Sequence, residues 1–235
     1  MNLTKFLELL SATFPSLAKE WRRFRLYRLS RKNTNEVFTD IYKNNTWKSA
    51  ESRSGFGSTL EITTVIRREL PKTIKELEVK SILDLPCGDY HWIKETQLGV
   101  DNYIGGDIVA ELVANNNKQY GKSGVSFLHL NLLSDKLPEV DMLFCRDCLV
   151  HLSFEDNQKA MANIKSGKIK YLMVTTFPNV KENENIITGR WRKLNLELPP
   201  FSFPKPIILV NENNAKDDNL KSMGVWRVED IEMSL

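Results

Sequence analysis

An α/β fold is predicted, with a mostly parallel sheet, helices on both faces and an antiparallel pair of strands closing one side. Three observations predict it. Five short apolar runs recur from residue 81 onward, SILDL (81–85), NYIGGD (102–107), VSFLHL (125–130), DMLFC (141–145) and KYLMVTTF (170–177). Helical or loop segments of 10 to 24 residues separate them, the alternation that builds a parallel sheet. The chain has 235 residues, 41% hydrophobic and 27% charged, which suits one such domain with a sizeable core and excludes wholesale disorder.

Taken in order, Phe6, Leu10, Leu17, Trp21 and Phe24 form a helical stripe broken near Pro15, which predicts two short helices in an N-terminal arm. Residues 33–58 are polar and end in Ser-Gly-Phe-Gly-Ser, so they read as a loop. Residues 59–70 read as a helix, with Ile62, Val65, Ile66 and Leu70 on one side and Pro71 beyond it. The strands follow, and the turn after the first one should lead into a helix. After Pro178 the pattern loosens through PPFSFPKP (199–206), and PIILVNE (206–212) and GVWRVEDI (224–231) supply the closing pair. The chain divides into residues 1–58, a helical arm and lid loop, and residues 59–235, the α/β domain.

The turn after the first strand carries the chemistry. The strand ends in Asp84, followed by Leu85, Pro86, Cys87 and Gly88. Ligands of open α/β sheets bind outside the carboxyl ends of the strands, and a glycine there admits close backbone approach. The second strand ends in Gly105-Gly106-Asp107, and an acid at that place can accept both hydroxyl hydrogens of a ribose. The pair indicates a nucleoside-containing cofactor. Neither G-x-G-x-x-G nor a P-loop motif occurs, so a nicotinamide dinucleotide or a nucleoside triphosphate is not indicated.

This arrangement resembles the class I S-adenosylmethionine-dependent methyltransferases over residues 80–177, and the family's antiparallel closing strands match 206–231. The likeness implies a Rossmann-like, three-layer α/β/α fold with S-adenosylmethionine as methyl donor and S-adenosylhomocysteine as product. It implies that Asp84, Pro86, Cys87 and Gly88 line the methionine side, Asp107 the ribose, and Ile108 the adenine. Asn131 and Leu132 match the place that meets the adenine amino group. Arg146 and Trp92 belong to the same cofactor site. Pro86 stands where a glycine is commoner. The chain is also similar to a narrower group that carries S-G-x-G-S, P-C-G-D-x-x-W, C-R-D-C-L-V-H-L-S and W-R-x-L-N-L, here residues 54–58, 86–92, 145–153 and 191–196.

Since the sulfonium is already electrophilic, aligning it with the acceptor and removing the acceptor's proton are the tasks left to the protein. Asp147 and His151, just past the fourth strand, are the candidates for orienting the acceptor or taking that proton. The same residues also suit a helix cap and a backbone-bonded imidazole. The [DNS]-P-P-[YFW] motif of amino-group nucleic-acid methylases is absent there. Trp47 and Trp92 can close over the cleft. Arg190, Trp191 and Arg192 would suit an anionic or sugar acceptor by paired hydrogen bonds and stacking. A small molecule or glycan precursor is the acceptor expected.

Residues 1–32 hold eight Lys and Arg against two acidic residues, leaving 25 basic and 28 acidic residues elsewhere. A slightly acidic body makes no strong case for nucleic acid. The basic arm could touch a membrane surface or an acidic partner, or dock an RNA or protein substrate. A non-catalytic protein keeping the cofactor fold is the third reading, and the oligomeric state is left open. No run approaches the ~20 apolar residues of a membrane span, and MNLTKFLELLSATF is a poor secretory signal, so a cytoplasmic protein is expected. Cys87, Cys145 and Cys148 are then free thiols. With His151 they could make a four-ligand zinc set if the first and fourth strands are neighbours. Cys87 is needed by the cofactor, however, and no metal is expected.

Overall fold

The computed structural model describes residues 19, 27–29, 31–212 and 221–232. The expected arm helices over residues 1–32, with their membrane or acidic-partner contact, lie almost wholly outside the described residues. Among these residues no helix is long and apolar enough to cross a membrane.

Seven strands form one sheet: β1 (Ser81–Asp84), β2 (Asn102–Asp107), β3 (Val125–His129), β4 (Val140–Cys145), β5 (Ile169–Thr176), β6 (Ile208–Asn211) and β7 (Ser222–Arg227). Their order is β3-β2-β1-β4-β5-β7-β6. The first five run parallel, and β7 pairs antiparallel with both β5 and β6. The order reverses between β1 and β4, which places the topological switch point beside Asp84.

Strand alternation divides the apolar residues between two faces. Ile82, Met142, Phe144, Tyr171, Met173 and Val225 pack with Ile66, Leu70 and Ile74 of α2 (Thr64–Glu76) and with Leu112 and Val113 of α3 (Ala110–Tyr120). Leu83, Leu143, Cys145, Leu172, Val174 and Trp226 pack with Ala160, Met161 and Ile164 of α4 (Phe154–Ser166) and with Leu194, Leu196, Phe201 and Phe203. Each fully buried aliphatic side chain contributes about 1.5–3 kcal/mol, so the two faces together fix the layers.

Three local expectations are corrected. Residues 33–58 are not all loop, since Thr34–Lys43 form helix α1. Asn33 accepts the Glu36 N–H and the Glu36 carboxylate accepts the Asn33 N–H, a reciprocal cap that starts the helix in a polar stretch. The helix expected at 59–70 runs instead from Thr64 to Glu76 with Pro71 inside it. Proline forfeits one backbone bond there, but Leu70 and Ile74 are buried on either side and hold the helix together. No helix follows the β1 turn. Gly88 and Tyr90 adopt left-handed conformations (φ +54° and +57°), which unwind the chain, and only a single 3-10 turn, Ile93–Glu95, forms before β2.

Candidate functional site

The floor of the site is built by the ends of β1 and β2. Asp84 is buried and accepts a 2.6 Å hydrogen bond from the Tyr103 hydroxyl. Burial pushes its carboxyl up to about 7; the Asp107 charge adds to this, while Tyr103 and Arg146 oppose it. Asp107 accepts the N–H of Gly88 (3.1 Å) and of Val109 (3.0 Å), and burial outweighs these bonds to push it up to about 6. Asn116 reaches back from α3 and donates to the Gly88 carbonyl at 2.8 Å. A Cβ on Gly88 would lie 2.1 Å from Ser54 Oγ, so both the left-handed turn and the packing require glycine.

The roof is tied to this floor by Asp89. Its carboxylate accepts hydrogen bonds from Ser52 Oγ (3.0 Å), Arg53 N (2.8 Å) and Ser54 Oγ (3.2 Å), while its own N–H donates to Ser54 Oγ (3.0 Å). The segment leading into Ser-Gly-Phe-Gly-Ser is thereby clipped to Pro-Cys-Gly-Asp.

The third wall leaves β4. Arg146 is buried, its Nη2 lies 2.6 Å from Glu212, Nη1 donates to the Gly57 carbonyl at 2.9 Å, and its guanidinium lies 5.6 Å from the Trp92 ring centre. Asp147 stands at φ +55°, with its N–H donating to Thr175 Oγ1 at 2.8 Å. Burial alone would raise its carboxyl, but Lys221 at 2.5 Å and Arg146 at 3.2 Å outweigh that and hold it at about 2. His151 Nδ1 lies 2.8 Å from the Arg190 carbonyl, which can only accept, so Nδ1 carries the hydrogen and Nε2 is the basic nitrogen. Burial lowers the imidazole below its ordinary range, which favours that neutral form. The Trp47 ring lies 5.4 Å from it, tilted by 38°.

These walls enclose one cleft with about 1060 Å³ of empty space, its open mouth included, the upper end of small-ligand pockets. It is lined by Asp84, Pro86, Cys87, Gly88 and Trp92, by Asp107, Ile108, Asn131 and Leu132, and by Arg146, Asp147, His151 and Trp47. The structure thus brings together all but three of the residues singled out in the sequence. Asn131 Oδ1 already accepts the Leu133 N–H at 2.9 Å, though a carbonyl oxygen has a second acceptor position.

Arg190, Trp191 and Arg192, expected to form an acceptor group, do not line the cleft. Arg192 is buried and donates to the carbonyls of Leu149, Leu152 and Glu184, clamping the turn that carries His151. Arg190 contributes its backbone carbonyl to His151, and Trp191 is exposed with an edge contact to Phe177. The cysteines do not assemble either. Cys87 packs on the α2 and α3 face and Cys145 on the α4 face, and among the described residues no group of three or more His, Cys, Asp or Glu is placed to hold a metal.

Several site residues escaped the sequence reading. Asp89 stands inside a quoted motif, and Phe38 and Tyr42 of α1, which line the cleft, follow the Asn33–Glu36 cap at helical spacing. Tyr103, Asn116, Glu212 and Lys221 carried no local signal.

Neither protein-family models nor curated proteins gave a match to the chain. Solved structures did. The chain is similar to the 1,6-didemethyltoxoflavin-N1-methyltransferase of Burkholderia thailandensis, crystallised with 1,6-didemethyltoxoflavin and S-adenosylhomocysteine, at 14% identity and TM-score 0.56, covering 82% of this chain and 86% of that one. The chain has the methyltransferase fold. The methyltransferase domain of bacterial CtHen1-C shares it at 12% identity and TM-score 0.53, covering 71% of this chain and 98% of that one. So does the magnesium protoporphyrin IX methyltransferase of Synechocystis PCC 6803, crystallised with S-adenosylmethionine, at 14% identity and TM-score 0.51 over 83% of this chain and 95% of that one.

Proposed function

We propose that the protein is an S-adenosylmethionine-dependent methyltransferase acting on a small-molecule acceptor. The observation that carries this is the placement of Asp84 and Asp107, two buried carboxylates at the carboxyl ends of adjacent strands, beside a glycine turn that lines the same cleft. The residues present fit the donor. Asp107 keeps acceptor capacity beyond its two backbone bonds for ribose hydroxyls, and Ile108 and Leu132 offer apolar surface for an adenine. The motif likeness over residues 86–92 and 145–153 supports the same reading.

Bound S-adenosylmethionine supplies a methyl group on positively charged sulfur. The chain's own part is to hold and deprotonate the acceptor. His151 Nε2 is the base, since its Nδ1–H is fixed on the Arg190 carbonyl and the ring lines the cleft. Asp147, held ionised by Lys221, orients and does not take the proton. A saccharide acceptor loses its support with Arg190, Trp191 and Arg192 turned elsewhere.

Calorimetric titration with S-adenosylhomocysteine tests the donor site. Micromolar binding is expected for the natural chain, and loss of it in Asp107→Ala and weakening in Asp84→Ala, each checked for folding by circular dichroism. Equal affinity in Asp107→Ala would overturn the assignment.

A further inference from the structure

Resting on the donor reading above, we infer that the acceptor is a flat, uncharged hydroxy-aromatic molecule, stacked beside Trp47 with its hydroxyl on His151 Nε2. The cleft has two ends. The turns after β1, β2 and β3 form one. The other is made by α1, Trp47 and the turn after β4, through Phe38, Tyr42, Trp47, Cys148, His151 and Leu152. Three of these six are aromatic. Phe38 packs against the cores of both sheet faces, so this end stands on a rigid base and not on a free loop.

The polar groups at this end select among acceptors. A sugar needs several fixed donors and acceptors aimed into the pocket, whereas the aliphatic hydroxyls of the lining are Thr34, Ser54 and Ser58, and Ser54 is already bonded to Asp89. An anionic acceptor needs a free cation, but Arg146 is bound to Glu212 and the Gly57 carbonyl, and Lys221 to Asp147. Arg53 does reach the rim of the cleft, but it is exposed, 5.9 Å from the Tyr42 ring, where solvent and salt screen its charge. An aliphatic ammonium would find aromatic faces, but the Asp147 carboxylate that would hold its charge is already paired with Lys221. A phenolic hydroxyl matches what remains, an aromatic wall and one basic nitrogen, Nε2 of a ring whose Nδ1–H is fixed 2.8 Å from the Arg190 carbonyl. In the transfer the hydroxyl proton goes to His151 Nε2, the oxygen–methyl bond forms, and the methyl–sulfur bond breaks with its electron pair staying on sulfur. The proton then leaves His151 for solvent.

The test uses the full chain saturated with S-adenosylhomocysteine, and 4-nitrocatechol as the probe, because its ionised form has a visible absorption band. At a pH below the probe's own pKa, binding is expected to raise that band. His151→Ala should keep binding and lose the band. Trp47→Ala should weaken binding by about tenfold and Trp47→Phe should restore it. Methyl α-glucoside and putrescine should not compete. Binding without the band in the natural chain, no binding, or displacement by either competitor would overturn the inference. Failure of S-adenosylhomocysteine itself to bind would instead overturn the donor reading beneath it.

Discussion

Replacing His151 with alanine is expected to lower methyl transfer to a hydroxy-aromatic acceptor by about 10²–10⁴-fold while S-adenosylhomocysteine affinity is unchanged. The size follows from removing a positioned base, and the selectivity from where the base stands. His151 belongs to the turn after β4, whereas Asp84, Asp107, Ile108 and Leu132, the groups proposed to touch the donor, end or follow β1, β2 and β3. Asp147 cannot replace it, since Lys221 and Arg146 hold that carboxyl at about 2, too weak a base for a hydroxyl proton near neutrality. The pH profile supplies a second readout. The neutral imidazole is the active form, and burial lowers its pKa below the ordinary value of ~6.5. Activity therefore rises with pH through a point below ~6.5 and is level above it, and this acid limb should vanish in His151→Ala. A variant that kept most of its rate and the same limb would remove His151 from the chemistry.

Arg146→Met is expected to be the most destabilising single change in the site. It strands the buried Glu212 carboxylate, which is 1% exposed, beside a lysine 3.7 Å away that is already engaged by Asp147. Removing one partner of such a pair costs about 3–5 kcal/mol. At about 2–4 °C per kcal/mol for a chain of this size, the melting temperature should fall by roughly 6–20 °C. The double change Arg146→Met with Glu212→Leu should recover most of the loss, because the uncompensated charge is gone. It should not recover full donor affinity, since the bond from Arg146 to the Gly57 carbonyl of the roof is still missing. Thermal melts of both variants decide the matter. A melting temperature unchanged in the single variant would show that the pair contributes nothing.

What the sequence made legible has a physical pattern. The strands, the closing pair and the two acids were readable because each depends on its own neighbours: an apolar run, a turn glycine, an acid at a strand end. The cap of α1 was readable in principle, since Asn33 and Glu36 stand three apart, but four apolar residues in a polar stretch masked it. The partners of Arg146 and Asp147 were not readable. Glu212 and Lys221 reach the site only through the register of β6 and β7 against β5, more than sixty residues along the chain. Arg192 shows the converse, for composition cannot say whether a guanidinium faces a ligand or a row of backbone carbonyls. The turn after β1 reads as a helix in the sequence because left-handed Tyr90 gives no compositional warning.

The two carboxylates of the floor also set how tightly the unliganded protein is folded. In the unfolded chain they release their protons near ~3.9, whereas in the fold Asp84 holds its proton to about 7 and Asp107 to about 6. Between those limits the native state binds more protons than the unfolded one, so their contribution to stability is full at acid pH and is lost as pH rises through 6 and 7. At neutral pH and above, the fold confines two negative charges that water would solvate better. Whatever hydrogen-bonds or neutralises them there draws its binding energy partly from relieving that confinement, so the protein is at its most receptive where its own folding is least secure.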